Sequence, residues 1–244
     1  MDDRDVAEVQ SLVDPIDGWL TPKEGRLLYD LARRASGRGA IVEIGSWKGK
    51  STIWLARGCQ RGAGQSVYAI DPHTGSSEHH AQYGAVNTVK EFGENLRRAG
   101  VEANVIPRVM TSAEAAATFA EPVELIFIDG GHEYELIKRD FELWFPRVID
   151  GGVMAFHDTT LHKGAGWPGP KRLVEEQVYR STRFRDVRFV DSITVGEKVA
   201  ANTAGDRLRN RRALAFKLAA ETGSRLRVPT VVRRAGRRLL ERLS

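Results

Sequence analysis

Residues 41–52 constrain the fold of this chain more than any other part of the sequence. A short apolar run rich in β-branched residues ends at Gly45 and Gly49, and a helical apolar pattern resumes at Ile53. This order predicts a strand, a tight turn and a helix, the first unit of an α/β nucleotide-binding domain. The glycines let the backbone turn sharply and approach a ligand, and the free amides at the start of the helix point toward the same ligand.

The spacing of the two glycines distinguishes three kinds of site. A phosphate-binding P-loop has four residues between its first glycine and its Gly-Lys-Ser/Thr, whereas here only Ser46, the bulky Trp47 and Lys48 separate Gly45 from Gly49. The dinucleotide fingerprint G-x-G-x-x-G is absent from the stretch. The pattern that remains is an acidic residue followed by x-Gly-x-x-x-Gly-x-Ser. The alternative to a binding site is an ordinary strand-to-helix turn.

Length and composition exclude several classes of protein. A chain of 244 residues with 41% hydrophobic and 28% charged residues predicts one globular domain with an appendage. The single cysteine, Cys59, excludes a disulfide framework within the chain and a cysteine-based zinc site, and it suits a reducing cytoplasm. No apolar stretch approaches the roughly 20 residues of a membrane span, and the acidic first residues do not resemble a signal peptide. We therefore expect a cytoplasmic location.

The charge is distributed unevenly along the chain. Residues 200–244 contain twelve basic and three acidic residues, whereas residues 1–199 contain 25 basic and 29 acidic ones. This shift predicts a catalytic domain over 1–199 and a basic amphipathic tail over 200–244. Such a tail packs on a partner subunit, lies on an anionic membrane surface or binds nucleic acid. We expect a homo-oligomer or weak contact with an acidic surface rather than nucleic acid, because no basic platform interleaved with aromatic residues surrounds the predicted site; a solvated tail remains the alternative.

Polar residues follow the predicted second strand. Asp71 stands at its carboxyl end, where an acidic side chain accepts hydrogen bonds from ribose hydroxyls, although a solvated turn before Pro72 is the alternative. Residues 72–92 predict a lid, since loops longer than about 12 to 15 residues in a compact domain are usually functional or disordered. The spacing of His73, His79 and His80 matches no metal motif, so these histidines are expected to face solvent or substrate.

Two further strands end in side chains that carry chemistry. Asp129-Gly130-Gly131-His132-Glu133-Tyr134 follows the apolar run 123–128, and His157-Asp158-Thr159 follows the run 153–156. The carboxyl ends of parallel strands form one edge of an α/β sheet, where ligands bind. We therefore expect these side chains to share a site, with simple capping of the turn by Asp129 and of the next helix by His132 as the alternative.

These motifs carry a family resemblance. The Glu43–Ser51 pattern resembles motif I of class I S-adenosylmethionine-dependent methyltransferases, and the residues after strands four and five resemble bacterial sugar and small-molecule O-methyltransferases of the macrocin and cephalosporin type. The resemblance spans residues 19–198. It implies a Rossmann-like fold with a seven-stranded, mostly parallel sheet, an antiparallel closing strand and helices on both faces. It implies a sugar or oligosaccharide acceptor, for example a precursor of a mycobacterial methylmannose polysaccharide. The expected cofactor ligands are Glu43, Gly45, Ser46, Gly49, Ser51, Asp71, Ser112 and Asp129.

The same relatives hold a divalent cation with an Asp after strand four and an acidic pair after strand five. The corresponding positions here are Asp129, His157 and Asp158. A histidine in place of an acidic ligand is tolerated by Mg²⁺ and favours Mn²⁺ or a later metal. His132 is the expected general base, because a neutral imidazole accepts a proton near pH 7. Two other enzyme classes remain open: a P-loop-like nucleotide hydrolase or kinase, and a nucleic-acid methyltransferase that uses the basic tail.

Overall fold

A computed structural model of the chain describes residues 3–76, 80, 84–161 and 166–225. Its sheet contains seven strands in the order β3-β2-β1-β4-β5-β7-β6. Strands β1 to β5 pair in parallel, and β7 runs antiparallel to both of its neighbours. The expected mostly parallel sheet with an antiparallel closing strand is confirmed. The strands are β1 (Ala40–Ile44), β2 (Val67–Ile70), β3 (Val105–Arg108), β4 (Val123–Ile128), β5 (Val148–Phe156), β6 (Phe184–Val190) and β7 (Ile193–Lys198).

Helices cover both faces of the sheet, as expected. The first group, on one face, is α1 (Asp3–Val13), α2 (Pro22–Arg34), α3 (Lys50–Gln60) and α4 (Val89–Arg98). The second group, on the other face, is α5 (Ser112–Thr118), α6 (Tyr134–Trp144), α7 (Pro168–Leu173), the π-helix Val174–Tyr179 that continues it, and α8 (Ala204–Arg225). No helix among the described residues is both long and apolar enough to cross a membrane.

The central strands are apolar along their whole length because both of their faces are covered. Successive residues of β1 point to opposite cores, so Ile41 packs under the first group of helices and Val42 under the second. Phe127 and Ile128 of β4 divide in the same way. The ends of β1 and β4 are therefore held from both sides, which fixes the polar residues that follow them.

Local sequence signals set several helix boundaries. The sequence Thr21-Pro22-Lys23-Glu24 predicts a capping box, and the structure shows it at the start of α2, where Glu24 N donates to Thr21 Oγ1 and Thr21 N donates to Glu24 Oε2 at 2.8 Å. The N-cap of α4 is Thr88. Helix α7 begins at Pro168, a residue suited to the first helical position. Helix α8 continues through Gly223, although glycine lowers helix propensity.

Candidate active site

The turn after β1 lies against the residue that follows β4. Gly45 has a φ of 87°, and a Cβ atom at this position would lie 2.1 Å from the carbonyl oxygen of Asp129. Only glycine fits such an approach of two backbones. Gly49, with a φ of 89°, is the N-cap of α3. The glycine pattern therefore brings the predicted cofactor turn and Asp129 into contact.

Glu43 is fully buried behind this turn. Its Oε2 accepts a hydrogen bond from Thr52 Oγ1 at 2.5 Å, whereas its Oε1 is buried without a hydrogen-bond partner. Burial raises the pKa of Glu43 to about 8; the hydroxyls of Ser51 and Thr52 oppose this rise, and the charge of Asp129 adds to it. Near pH 7 the carboxyl group is therefore mostly neutral. Ser46 Oγ is a second buried polar atom without a partner at this turn.

Asp71 lies at the carboxyl end of β2, as predicted. Its Oδ2 accepts a hydrogen bond from Trp47 N at 2.8 Å, and its Oδ1 accepts one from His73 N at 2.6 Å. These bonds fix the side chain beside the β1 turn and leave further acceptor positions on both oxygens. Ser112, at the start of α5, accepts a hydrogen bond from Trp144 Nε1 at 2.9 Å. Contacts of Asp71 with a ribose and of Ser112 with an adenine remain predictions.

The lid histidines differ from the expectation in one case. His73 is buried, its Nδ1 lies 2.8 Å from Thr88 Oγ1, and its ring packs on Phe92. It therefore does not face solvent. His80 is exposed, as expected, and His79 lies outside the described residues.

The ends of β4 and β5 bring four predicted residues together. His157 Nδ1 lies 3.0 Å from Asp129 Oδ1 and 3.4 Å from Asp158 Oδ2. His132 Nε2 lies 3.2 Å from Asp158 Oδ2. One donor atom each from Asp129, His132 and Asp158 lies within 4.8 Å of the others, and all three residues are half-buried. Two oxygens and one nitrogen at this spacing are a donor set that fits a divalent cation.

Glu24 also takes part in this site, a role that no sequence pattern predicted. Besides capping α2, Glu24 accepts hydrogen bonds from the backbone and the hydroxyl of Ser192, both at 2.7 Å, and its Oε2 lies 3.6 Å from His157 Nε2. Both side chains are buried. The capping pattern predicted only the local role of Glu24, and no local pattern predicts a contact with a residue so distant in the sequence.

The carboxylates around His157 decide its charge. Burial alone would lower the pKa of His157, but Asp129, Asp158 and Glu24 outweigh this effect and raise its pKa well above the ordinary value. The contacts with His132 and His157 in turn hold the pKa of Asp158 below its ordinary value, against the effect of burial. A protonated imidazole has no lone pair for a metal. In the metal-free chain the donor atoms of Asp129, His132 and Asp158 form the group of metal size, and ligation by His157 remains a prediction.

His132 is held in place by an aromatic contact as well as by Asp158. Its ring stacks on Trp167 with a centroid distance of 4.7 Å and an interplanar angle of 7°. Trp167 is 39% exposed and stands directly before α7. The site thus has an aromatic wall beside its acidic cluster.

Comparisons with known proteins match the part of the chain that contains these site residues. Residues 42–159 match a family model described as a methyltransferase domain, and this segment contains both the β1 turn and the cluster after β4 and β5. This segment is therefore similar to a methyltransferase domain, and the similarity supports the prediction of a methyltransferase enzyme.

The chain is also similar to curated proteins. The chain is 30% identical over 146 residues to catechol O-methyltransferase of Mycobacterium tuberculosis, a match that covers 59% of this chain and 58% of that protein. It is 29% identical over 161 residues to an uncharacterized protein of Sinorhizobium fredii, which covers 62% of this chain and 16% of that protein. The chain thus spans less than two thirds of the length of these relatives.

Solved structures share the fold. The O-methyltransferase NovP has a TM-score of 0.64 at 14% identity, with 80% of this chain and 98% of NovP covered. The O-methyltransferase TomG of Streptomyces achromogenes, in complex with S-adenosylmethionine, has a TM-score of 0.56 at 22% identity, with 82% and 92% covered. The Bacillus cereus O-methyltransferase in complex with S-adenosylhomocysteine has a TM-score of 0.57 at 22% identity, with 81% and 92% covered. The predicted class I methyltransferase fold is confirmed.

Proposed function

We propose that the chain is an S-adenosylmethionine-dependent O-methyltransferase that methylates a hydroxyl group of a small molecule with the help of a divalent cation. The observation that carries the proposal is the convergence of Asp129, His132 and Asp158 directly beside the Gly45 turn. Methyl transfer from a sulfonium is an in-line displacement, so it requires the methyl donor and the acceptor oxygen side by side.

Unpaired polar atoms at the β1 turn support the proposed binding of S-adenosylmethionine there. Glu43 Oε1 and Ser46 Oγ are buried without hydrogen-bond partners, which suits them to groups of a bound ligand. Asp71 is already fixed by two backbone amides and has acceptor capacity left for ribose hydroxyls. We assign the cofactor site to Glu43, Gly45, Ser46, Gly49, Ser51, Asp71, Ser112 and Asp129.

Carboxylates next to a nitrogen donor support the proposed divalent cation site. Asp129 and Asp158 supply the oxygen ligands and His132 the nitrogen, a set that Mg²⁺ tolerates and that Mn²⁺ favours. A bound divalent cation lowers the pKa of an acceptor hydroxyl. His157 stays behind the two aspartates as a positive charge that fixes them, together with Glu24.

His132 also has the geometry of a general base. Asp158 orients its imidazole through Nε2, and the stack on Trp167 fixes the plane of the ring. An ionised Asp158 accepts a hydrogen bond from Nε2–H, so as a general base His132 would accept the proton at Nδ1, whereas a metal bound at Nε2 would replace that hydrogen bond. The dependence of turnover on added metal distinguishes the two roles.

The acceptor is a hydroxylated small molecule. Trp167 offers an exposed aromatic face at the cluster, on which a sugar or an aromatic ring can pack. We propose a sugar or oligosaccharide, with a methylmannose oligosaccharide as one candidate. A catechol is the other candidate, because the Mycobacterium tuberculosis relative is a catechol O-methyltransferase. Cytoplasmic location and homo-oligomer formation remain parts of the proposal.

Calorimetry with S-adenosylhomocysteine tests the cofactor. We expect binding by the wild type and at least tenfold weaker binding by Asp71→Ala, with Asp150→Ala, an exposed acid at the opposite end of β5, as the matched control. Absence of binding at high micromolar ligand would overturn the proposal. Tight ATP binding in its place would restore the nucleotide hydrolase or kinase.

Transfer of a labelled methyl group tests the acceptor and the cation. Methylmannose oligosaccharides and catechol are offered in turn, with excess EDTA and then with added Mg²⁺ or Mn²⁺. We expect EDTA to abolish methylation of at least one acceptor and either metal to restore it. Full activity in EDTA would remove the cation from the mechanism and leave His132 as the base.

A further inference from the structure

The C-terminal helix α8 has a polar inner face. Its buried positions recur every three to four residues, and all but one of them are polar. Such a pattern is the reverse of an ordinary amphipathic helix, which turns its apolar side to the core. The buried residues are Asp206, Asn210, Leu214, Lys217 and Glu221.

Hydrogen bonds and ion pairs fix this inner face on the domain. Asn210 Nδ2 donates to Phe184 O at 2.9 Å, and Asn210 Oδ1 accepts from Val187 N at 3.2 Å. Lys217 Nζ donates to Glu221 Oε1 at 3.0 Å, and the same oxygen accepts from Leu161 N at 3.2 Å. Because each of these bonds is directional, α8 has one orientation on the domain.

The outer face of α8 is apolar and basic. Leu208 is 51% exposed and Leu218 is 37% exposed. Positions 208, 211, 212, 215 and 218 follow the helical spacing of one face, so Arg211 and Arg212 stand beside these leucines. An open groove of about 370 Å³ runs along this face and is lined by Arg180, Arg211, Leu214, Ala215 and Leu218.

We propose that this outer face of α8 docks on an anionic lipid bilayer. The apolar side chains enter the boundary between headgroups and acyl chains, while the guanidinium groups bind the phosphates. Both acids of the helix are turned away from this surface, since Asp206 bonds to Thr203 and Glu221 pairs with Lys171 and Lys217. The charged side chains on the outer face are therefore all positive.

Charge argues against two other occupants. A second copy of the chain in a symmetric contact would bring the same arginines together, and like charges repel. The remaining C-terminal residues, 226–244, contain six arginines and one acid, so their charge is also of the wrong sign for this groove. Nucleic acid would neutralise the arginines but leave Leu208 and Leu218 in water. A bilayer with acidic headgroups satisfies both kinds of side chain.

Vesicle flotation with the full chain tests the proposal. The wild type should float with phosphatidylglycerol-rich vesicles, not with pure phosphatidylcholine, and less so as salt rises. The double variant Arg211→Gln/Arg212→Gln should bind about 30-fold more weakly, at roughly fivefold for each lost charge near an anionic surface. Leu208→Ser/Leu218→Ser should weaken binding at least tenfold. Arg97→Gln/Arg98→Gln on α4 and Val109→Ser are the matched controls and should bind like the wild type.

Other outcomes overturn the proposal. Absence of vesicle binding by the wild type does so directly. Unchanged binding by both α8 variants would assign the contact to residues 226–244 alone. RNA binding that the arginine variant loses and the leucine variant keeps, without vesicle binding, would favour nucleic acid. A change of oligomeric state in the leucine variant, without vesicle binding, would favour a second copy. A thermal melt of each variant checks that it is folded.

Discussion

The ends of β1 and β5 each bury one ionisable side chain. Near pH 7 the side chain at the β1 end is mostly neutral, whereas the one at the β5 end is charged. Glu43 and His157 are 0% and 4% exposed. Burial raises the pKa of Glu43 to about 8, and the negative charge of Asp129 adds to this rise. Burial acts on His157 in the direction of neutrality as well, but three carboxylates outweigh it and raise its pKa. Glu43 is mostly neutral near pH 7, whereas His157 is charged.

The two ends of the site differ in the charge that lies close to the buried side chain. A buried charge persists only where an opposite charge lies close by, as it does around His157. The β1 end has no such partner, and it keeps an unpaired oxygen on Glu43. On the proposed function, this end suits a ligand that carries positive charge, such as the sulfonium and ammonium groups of S-adenosylmethionine. The β5 end instead sets one positive charge, His157, among three acidic side chains, which leaves an excess of negative charge for the proposed cation.

The largest effect is expected at the β5 end. Asp158→Ala removes a proposed metal ligand and the group that orients His132, so turnover should fall by at least ~10²-fold. The affinity for S-adenosylhomocysteine should stay within a factor of about three, because other residues hold the cofactor. Methyl transfer and calorimetry on the same preparation measure both quantities. Loss of affinity in parallel with turnover would show that the two ends do not act separately.

His132→Ala tests the residue that follows the neighbouring strand, β4. Its turnover should fall by roughly 10²- to 10⁴-fold, the range for a lost general base. Excess Mn²⁺ should not restore the variant if His132 is the base, since a metal does not replace the missing proton acceptor. Recovery at high Mn²⁺ would assign His132 to the metal instead.

The next effect concerns stability. His157→Leu leaves Glu24, Asp129 and Asp158 around an apolar side chain, and the loss of one partner of a buried ion pair costs about 3–5 kcal/mol of the free energy of unfolding. Glu43→Gln should cost less than about 1.5 kcal/mol, because an amide has nearly the shape of the neutral acid. Urea unfolding at pH 7 measures both. Equal costs for the two variants would contradict the assigned charge states.

Local sequence patterns predicted much of the fold. The glycine turn after β1, the strand 123–128 and the capping box at Thr21 were all visible, because periodicity and capping act over a few residues. The cluster of Asp129, His132 and Asp158 was also foreseeable, since parallel strands end at one edge.

Contacts between distant segments could not be predicted in the same way. The family resemblance placed His157 at the position of a metal ligand, and that role remains a prediction. Its contact with Glu24 depends on how α2 packs on the sheet. The burial of His73 under α4 has the same origin, since Thr88 and Phe92 enclose it only in the folded chain.

The smallest expected effect is a dependence of the free energy of unfolding on pH, caused by Glu43. Its pKa in the folded, ligand-free chain is about 8 against an ordinary value of 4.5. Above pH 4.5 the unfolded chain has released a proton that the folded chain keeps, so stability should fall as the pH rises from there toward 8, by up to about 1.4 kcal/mol per pH unit. Below pH 6.5 His157 is charged in both states, since its pKa in the folded chain is raised above that value, and it adds no slope. Burial also lowers the pKa of His73 and raises the pKa of Asp140, so the difference between the wild type and Glu43→Gln in the window between pH 4.5 and 6.5 is the quantity that reports on Glu43.

Urea unfolding across this window should show a declining free energy for the wild type and a flatter profile for Glu43→Gln. Glu124→Gln is the matched control, because the amides of Ser36 and Arg38 hold the pKa of this buried carboxyl below its ordinary value, against the effect of burial. Its contribution is complete above pH 4.5, so the variant should be less stable throughout and keep the slope of the wild type. S-adenosylmethionine should also flatten the wild-type profile, because a nearby positive charge lowers the pKa of Glu43 and releases its proton. A slope that neither Glu43→Gln nor the cofactor changes would place the titrating group elsewhere and remove the contrast between β1 and β5.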